Sequence, residues 1–215
     1  GIVNMSRRDF LKTGALLGGG LVLGVSLPAS ASGAQAGAAS KLNAFVRIGM
    51  DDTVTIIVNH SEMGQGVYTS LPMLVNEELE ADWAKIRIEA APVDAVYNHT
   101  AFGMQMTGGS SSVWSEYDRL RQMGAAAREM LIAAAAKQWK VDPATCRAEK
   151  GNVIYLSGKK LNYGKLAKKA AAMPVPKDIK LKDPSQYTTI GKPVRRLDTA
   201  DKVNGSAKFG MDVSL

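Results

Sequence analysis

Apolar and polar positions alternate through "AFVRIGMDDTVTIIVN", residues 44–59, and this alternation predicts a β-hairpin. Val46 and Ile48 fall on one face and Arg47 on the other; Gly49 to Asp52 supply the turn, and Thr53 to Asn59 the second strand. After Gly64-Gln65-Gly66 the period changes. Val67, Leu71, Leu74, Val75 and Leu79 recur at helical spacing, predicting a helix to about Asp82, with Pro72 tolerable because it falls early. "KIRIEAAP" returns to a period of two, a strand with Ile86 and Ile88 on one side. Residues 91–107 read as a loop. Residues 109–139 carry Val113, Tyr117, Leu120, Gly124, Ala127, Leu131 and Ala134 at alternating spacings of four and three, a long helix. Its stripe turns to small residues towards the end, so a neighbour packs close there.

Further along, Arg147–Lys150 and Val153–Leu156 suit a strand pair across Gly151-Asn152, and a short helix follows Asn162. From Met173 prolines and lysines recur, as in a surface connection, and residues 191–215 read as the opening of a new element. Helices alternating with strand pairs predict an α+β (mixed α/β) fold.

The first 31 residues stand apart. Arg7-Arg8 precede Phe10-Leu11-Lys12, then a weakly apolar, glycine-rich run from about Gly14 to Leu27, then Ala29-Ser30-Ala31. This reads as a twin-arginine signal peptide, and its apolar run is short for a bilayer span. That route carries folded proteins, often with a cofactor inserted, so a periplasmic destination is expected, either free or membrane-associated. Residues 32–42, rich in Ala, Gly and Ser, suit a linker. The net charge of +7 falls to +5 without the leader (24 basic against 19 acidic residues), and its basic groups lack interleaved aromatics. A solvated basic surface is expected, and no nucleic acid. The single Cys146 excludes an intrachain disulfide, and His60 and His99 lie far apart in sequence, so structural histidines are expected and no protein-built metal site.

Glycines directly before a helix raise a chemical possibility. The first helical turn carries unpaired N–H groups and partial positive charge, and glycine lets a ligand approach the backbone. Gly64, Gln65 and Gly66 before one helix, and Gly108, Gly109, Ser110, Ser111 and Ser112 before another, suit an anion or a polar heterocycle. Gln65 offers a donor and an acceptor on one planar amide. Together they suggest a long, phosphate-bearing ligand. The same residues also serve as plain helix caps. Neither stretch matches a phosphate loop or a dinucleotide fingerprint, and no Ser/His/Asp set can be assembled. Glu62, Glu77 and Glu78 read as solvated or capping residues rather than an acid/base pair.

"TVTIIVNHSEMGQGVYTSLPMLVNEELEADWAKIRIEAAP" and "TGGSSSVWSEYDRLRQMGAAAREMLIAAAAKQW" together resemble the molybdopterin-binding subunits of the xanthine dehydrogenase and aldehyde oxidase family. The likeness is to the branch with isoquinoline 1-oxidoreductase β subunits and membrane-bound aldehyde dehydrogenase large subunits. "GKPVRRLDTADKVNGSAKFGMD" resembles the start of that family's hammerhead domain. The resemblance implies a molybdopterin-binding segment over residues 43–175, a connector over 176–190 and an incomplete hammerhead over 191–215. It implies molybdopterin cytosine dinucleotide, with Gly64, Gln65 and Gly66 on the pterin side and Gly108 to Ser112 on pterin or pyrophosphate oxygens. Thr69 and Thr107 are further hydroxyl candidates. It implies hydroxylation of an aldehyde or N-heterocycle with oxygen from water. Implied partners are the rest of the large subunit, a small 2Fe–2S subunit and, in the membrane branch, a cytochrome c subunit. The family's glutamate base sits in a Gly-Glu context, and no Gly-Glu pair occurs here. The chain alone is therefore expected to be inactive, with an exported binding module or an inactive truncation as the alternatives.

Overall fold

A computed structural model describes residues 21–24 and 44–213. Most of the leader and all of the 32–42 linker lie outside them. Residues Leu21–Gly24 form strand β1, followed by β2 (Ala44–Ile48), β3 (Val54–Val58), helix α1 (Val67–Leu79) and β4 (Ile86–Ala90). Then come the long helix α2 (Ser112–Trp139), strands β5 (Cys146–Glu149), β6 (Asn152–Tyr155) and β7 (Lys160–Asn162), and helices α3 (Tyr163–Ala170) and α4 (Thr199–Asn204). The fold is α+β, as the residue pattern predicts.

One sheet runs β1-β2-β3-β4, with β1, β2 and β3 antiparallel and β4 parallel to β3. The parallel step needs a crossover, and α1 supplies it. All of Val54–Val58 is buried, which suits a central strand with one face towards the helices. A second sheet, β5-β6-β7, is an antiparallel meander. Its first turn is Lys150-Gly151, one residue earlier than expected, because both residues take left-handed backbone (φ 45° and 73°) as a two-residue hairpin turn demands.

The core lies between the four-stranded sheet and the crossed helices α1 and α2, with Phe45, Ile48, Ile56, Leu71, Leu79, Leu120 and Leu131 fully buried. The expected close approach is at Gly124. A Cβ there would sit 2.2 Å from the Val75 carbonyl oxygen on α1. Both helices differ from expectation at one end. Glu80 turns left-handed (φ 56°) and stops α1 three residues before Asp82. Gly109 (φ 61°) and Ser110 (φ 54°) cannot join a right-handed helix, so α2 starts at Ser112, and Val113 is exposed.

Two acidic residues expected on solvated faces are in fact buried. The Glu77 carboxylate accepts from the backbone amides of Thr188 (3.1 Å), Thr189 (2.7 Å) and Ile190 (2.9 Å). Glu78 accepts from Arg121 Nη2 (2.7 Å) and from the Lys182 amide (3.1 Å). The connector is thus pinned to α1 rather than loose on the surface. The signal missed is the Glu-Glu pair directly beside Leu74, Val75 and Leu79 on the apolar face of α1. Within the stretch expected to open a new element, 191–215, the described residues to 213 form a strap that carries helix α4 and a 3-10 turn at Gly210–Asp212. Arg196 and Leu197 tie it to the loop before α1 and to Thr69.

Candidate functional site

The two glycine loops are neighbours. β3 ends at Val58 and the chain turns through Asn59 to Gly66 into α1; β4 ends at Ala90 and the loop 91–107 leads to Gly108 and α2. The Ser61 amide donates to Thr107 Oγ1 (2.8 Å) and ties the two together. Both therefore sit where the parallel strands end, the place where open α/β sheets bind ligands.

At the first loop the helix N-terminus already holds a carboxylate. Glu62 Oε1 accepts from the amides of Gly64 (2.8 Å) and Gly66 (2.9 Å), and Oε2 from Tyr68 (3.0 Å). Burial pushes this carboxyl up, but the amides of Tyr68, Gly66 and Gly64 outweigh it and hold Glu62 below the ordinary range. Gln65 closes its own loop: its Nε2 donates to Ser61 O (2.8 Å) and its Oε1 accepts from the Met63 amide (2.7 Å). Gly64 (φ 104°) and Gly66 (φ 96°) need left-handed backbone for this wrap. Arg196 of the strap bonds Gly64 O (3.1 Å) and Glu62 (3.3 Å), and the Leu197 amide donates to the buried Thr69 hydroxyl (3.1 Å). Sequence reasoning took Glu62 only as a capping or solvated residue and missed Arg196. The signal for Glu62 was its position two, four and six residues before Gly64, Gly66 and Tyr68.

The strap has its own pH limit. Asp198 is held at about 2, chiefly by the hydrogen bond from Arg196, with Lys202 adding to it against the opposing effect of burial. A folded value below the ordinary 3.8 means the carboxylate favours the closed strap above about pH 4. That contribution is lost as pH falls from there towards 2. Amide exchange at Leu197, corrected for its intrinsic rate, is expected to speed up over that window, and Asp198→Asn to produce the same speeding at pH 7. Unchanged protection in the variant would show that something else holds the strap.

The second loop is built differently. Ser111, the residue before α2, is buried; its Oγ donates to Gly108 O (2.7 Å) and meets His99 Nε2 (2.8 Å). His99 Nδ1 accepts from the Ala101 amide (3.0 Å), which fixes the proton on Nε2 and makes His99 the donor to Ser111. Ser111 therefore shapes the loop from inside, and Ser112 is buried as well. Gly109 and Ser110 are exposed, and a Cβ on Gly109 would meet nothing within 4 Å. The amides of Ser112, Val113 and Trp114 precede the first intrahelical bond, from Ser115 N to Ser111 O (3.0 Å). No side chain caps this end and no acidic residue lies in its first turn. Of the eight residues expected to bind a cofactor, Gly109 and Ser110 thus stand before a free helix N-terminus. Gly64, Gln65 and Gly66 stand before one that carries its own anion. Gly108, Ser111 and Ser112 support the second loop.

The two histidines, far apart in sequence, meet beneath the loops with ring centroids 5.6 Å apart. Behind them Glu116 is fully buried and grips Arg119 through two bonds (2.6 and 2.7 Å). Burial pushes this carboxyl up, but the facing imidazole of His60 and the Arg119 guanidinium hold it below the ordinary range. Among the described residues no group of three or more His, Cys, Asp or Glu is placed to hold a metal, and no helix is long and apolar enough to cross a membrane.

Over residues 6–215 the chain matches the model of a family described as a molybdopterin cofactor-binding domain. It is 34% identical to isoquinoline 1-oxidoreductase subunit beta of Brevundimonas diminuta, over 99% of this chain and 32% of that protein. It is 30% identical to a membrane-bound aldehyde dehydrogenase (pyrroloquinoline-quinone) of Gluconacetobacter polyoxogenes, over 99% of this chain and 28% of that one. The chain therefore spans a third or less of these relatives' length. The crystal structure of quinoline 2-oxidoreductase from Pseudomonas putida 86 aligns with a TM-score of 0.44 and 18% identity, over 59% of this chain and 15% of that chain.

Proposed function

The chain belongs to the molybdopterin cofactor-binding domain family, and from that premise we propose that it is the cofactor-holding N-terminal part of an exported molybdenum hydroxylase acting on aldehydes or N-heterocycles. The observation that carries this reading is the asymmetry of the two loops. A dinucleotide form of the cofactor has a diphosphate and a neutral pterin. The free end of α2 behind Gly109 and Ser110 offers backbone amides with no side-chain cap and no acidic residue in the first turn, which suits the diphosphate. The end of α1 is already neutralised by Glu62, so it suits only an uncharged edge. The donor set therefore fits the group, with its two loops taking different parts of it.

When bound, the cofactor supplies the redox chemistry, with oxygen drawn from water. The chain's own part is placement. Ser111, locked by His99 and Gly108, holds the second loop rigid, and the Glu62–Arg196 pair does the same for the first. Electrons would leave through a separate 2Fe–2S subunit, and the twin-arginine leader would deliver the folded, loaded protein to the periplasm. The catalytic base would come from the rest of the large subunit.

Gly109→Asp tests the reading. Aspartate tolerates left-handed backbone, and its carboxylate would occupy the end of α2 much as Glu62 occupies that of α1. In the native complex the variant is expected to keep its melting temperature within about 2 °C while molybdenum and nucleotide content fall at least about tenfold. Full loading of both in the variant would overturn the assignment of this helix end to the phosphates. A chain that folds with neither component in the wild type would move the function to an exported binding module.

A further inference from the structure

Helix α2 has 28 residues and is therefore about 40 Å long. The glycine loops stand at its start. At its other end, beside α3, lies a groove of about 350 Å³ lined by Ala134, Lys137, Gln138, Lys169, Ala172 and Met173. Lys169 Nζ donates to Gln138 Oε1 (2.8 Å) and joins the two helices. α3 buries Tyr163, Leu166, Ala167 and Ala170, so Lys165, Lys168 and Lys169 share its exposed face at spacings of three and four. Lys137 is exposed on the neighbouring helix.

These charges are unanswered within the chain. From Lys150 to Lys177 there are seven lysines and no Asp, Glu or Arg. Lys182 and Lys202 hold carboxylates, whereas Lys137, Lys165, Lys168 and Lys169 form no ion pair with a described residue. The residue types choose between occupants. Acidic protein surfaces are met best by arginine, whose planar fork pairs with carboxylates, and lysine is depleted from protein interfaces. A lysine face without arginine, set round the apolar side chains of Ala134, Ala172 and Met173, suits a plane of mobile phosphates. Lysine stems can lie along the apolar surface while their ammonium groups stay in water among the headgroups.

We propose that this face, formed by Lys137 with Lys165, Lys168 and Lys169, docks the protein on a bilayer carrying acidic phospholipids. It sits at the far end of α2 from the glycine loops, so docking leaves those loops clear of the bilayer. The proposal stands independently of the cofactor assignment.

The test uses the untagged full chain with Arg7→Gln, Arg8→Gln and Lys12→Gln, which removes the leader's own charges. It is mixed with phosphatidylcholine vesicles, with or without phosphatidylglycerol, and lysine acetylation is read by mass spectrometry. Phosphatidylglycerol is expected to protect the four lysines at least about threefold and to leave Lys192 and Lys208 of the strap, both exposed, unchanged. Combined Lys165→Gln, Lys168→Gln and Lys169→Gln is expected to weaken vesicle binding on the order of 100-fold, at about fivefold per lysine. All three sites are exposed, so the melting temperature is expected to hold. Arginine at the same three positions is expected to keep the binding, and about 1 M salt to abolish it. Binding that ignores phosphatidylglycerol, full binding by the glutamine variant, or protection of the strap lysines instead would each overturn the proposal. Equal protection by soluble polyglutamate at matched charge would also overturn it, in favour of an acidic protein partner.

Discussion

Gly124→Ala is expected to destabilise the protein by about 2 kcal/mol, although alanine is the better helix former. The two effects differ in size. Removing a glycine from the interior of a helix contributes roughly 1 kcal/mol in favour of the variant. Against this, the added Cβ would lie 2.2 Å from Val75 O, 3.1 Å from Val75 C and 3.2 Å from Glu78 Cβ. The closest obstacle is backbone, which has no rotamer to swing away, so α1 and α2 must move apart. Overpacking of a tight core costs about 1–3 kcal/mol, and more where backbone must yield. Here the separation would also stretch the bond between Arg121 on α2 and Glu78 on α1. A control at Gly210, where an added Cβ would meet nothing within 4 Å and the backbone is not left-handed, separates the helix contact from the general effect of adding a methyl group. Urea unfolding with an unchanged m-value and a lowered midpoint is the expected result. A variant as stable as the wild type would mean that the helices cross more loosely than the core packing implies.

That contact also shows what a sequence can reveal. The four-three spacing from Val113 to Ala134 required a helix with one packed face, and glycine and alanine at its close approach required a near neighbour. Alternation through Val46–Ile48 and Ile86–Ile88 located the strands because side-chain direction has a period of two. What escaped was decided by partners distant in the chain. Nothing local in Glu77-Glu78 says that residues 182–190 will fold back to supply donors. Nothing local in His60 and His99 says that their rings will meet. Gly64-Gln65-Gly66 and Gly108-Gly109 look alike as strings, yet one loop has a carboxylate two residues upstream that turns in to cap it and the other does not. The pair of glycine-led helix starts was legible; that Glu62 caps one of them and no side chain caps the other required the fold.

The same reliance on distant partners makes Glu77 the second position with a large expected effect. Its carboxylate is fully buried and collects the amides of Thr188, Thr189 and Ile190 together with Lys182 Nζ at 3.2 Å. Burial pushes its carboxyl up, and the three amides and the lysine more than reverse that, so Glu77 titrates below the ordinary range. Its stabilising share is thus complete above about pH 4.5 and is lost as pH falls through the depressed value. Removing the carboxylate by Glu77→Ala does not strand a charge, because Lys182 keeps Glu80 at 2.8 Å. The amides, however, lose their acceptor inside a dry contact, at a cost of about 3 kcal/mol. The least costly response is for residues 187–190 to lift into water and leave the crossed helices intact. Exchange at the Thr189 and Ile190 amides is therefore expected to accelerate on the order of 100-fold, the equivalent of that free energy, while Leu120 and Leu131 amides in α2 change far less. Glu77→Gln is expected to fall close to alanine, since its NH₂ group would face donors. Uniform acceleration across α2 would show instead that the connector and the helical core open as one unit.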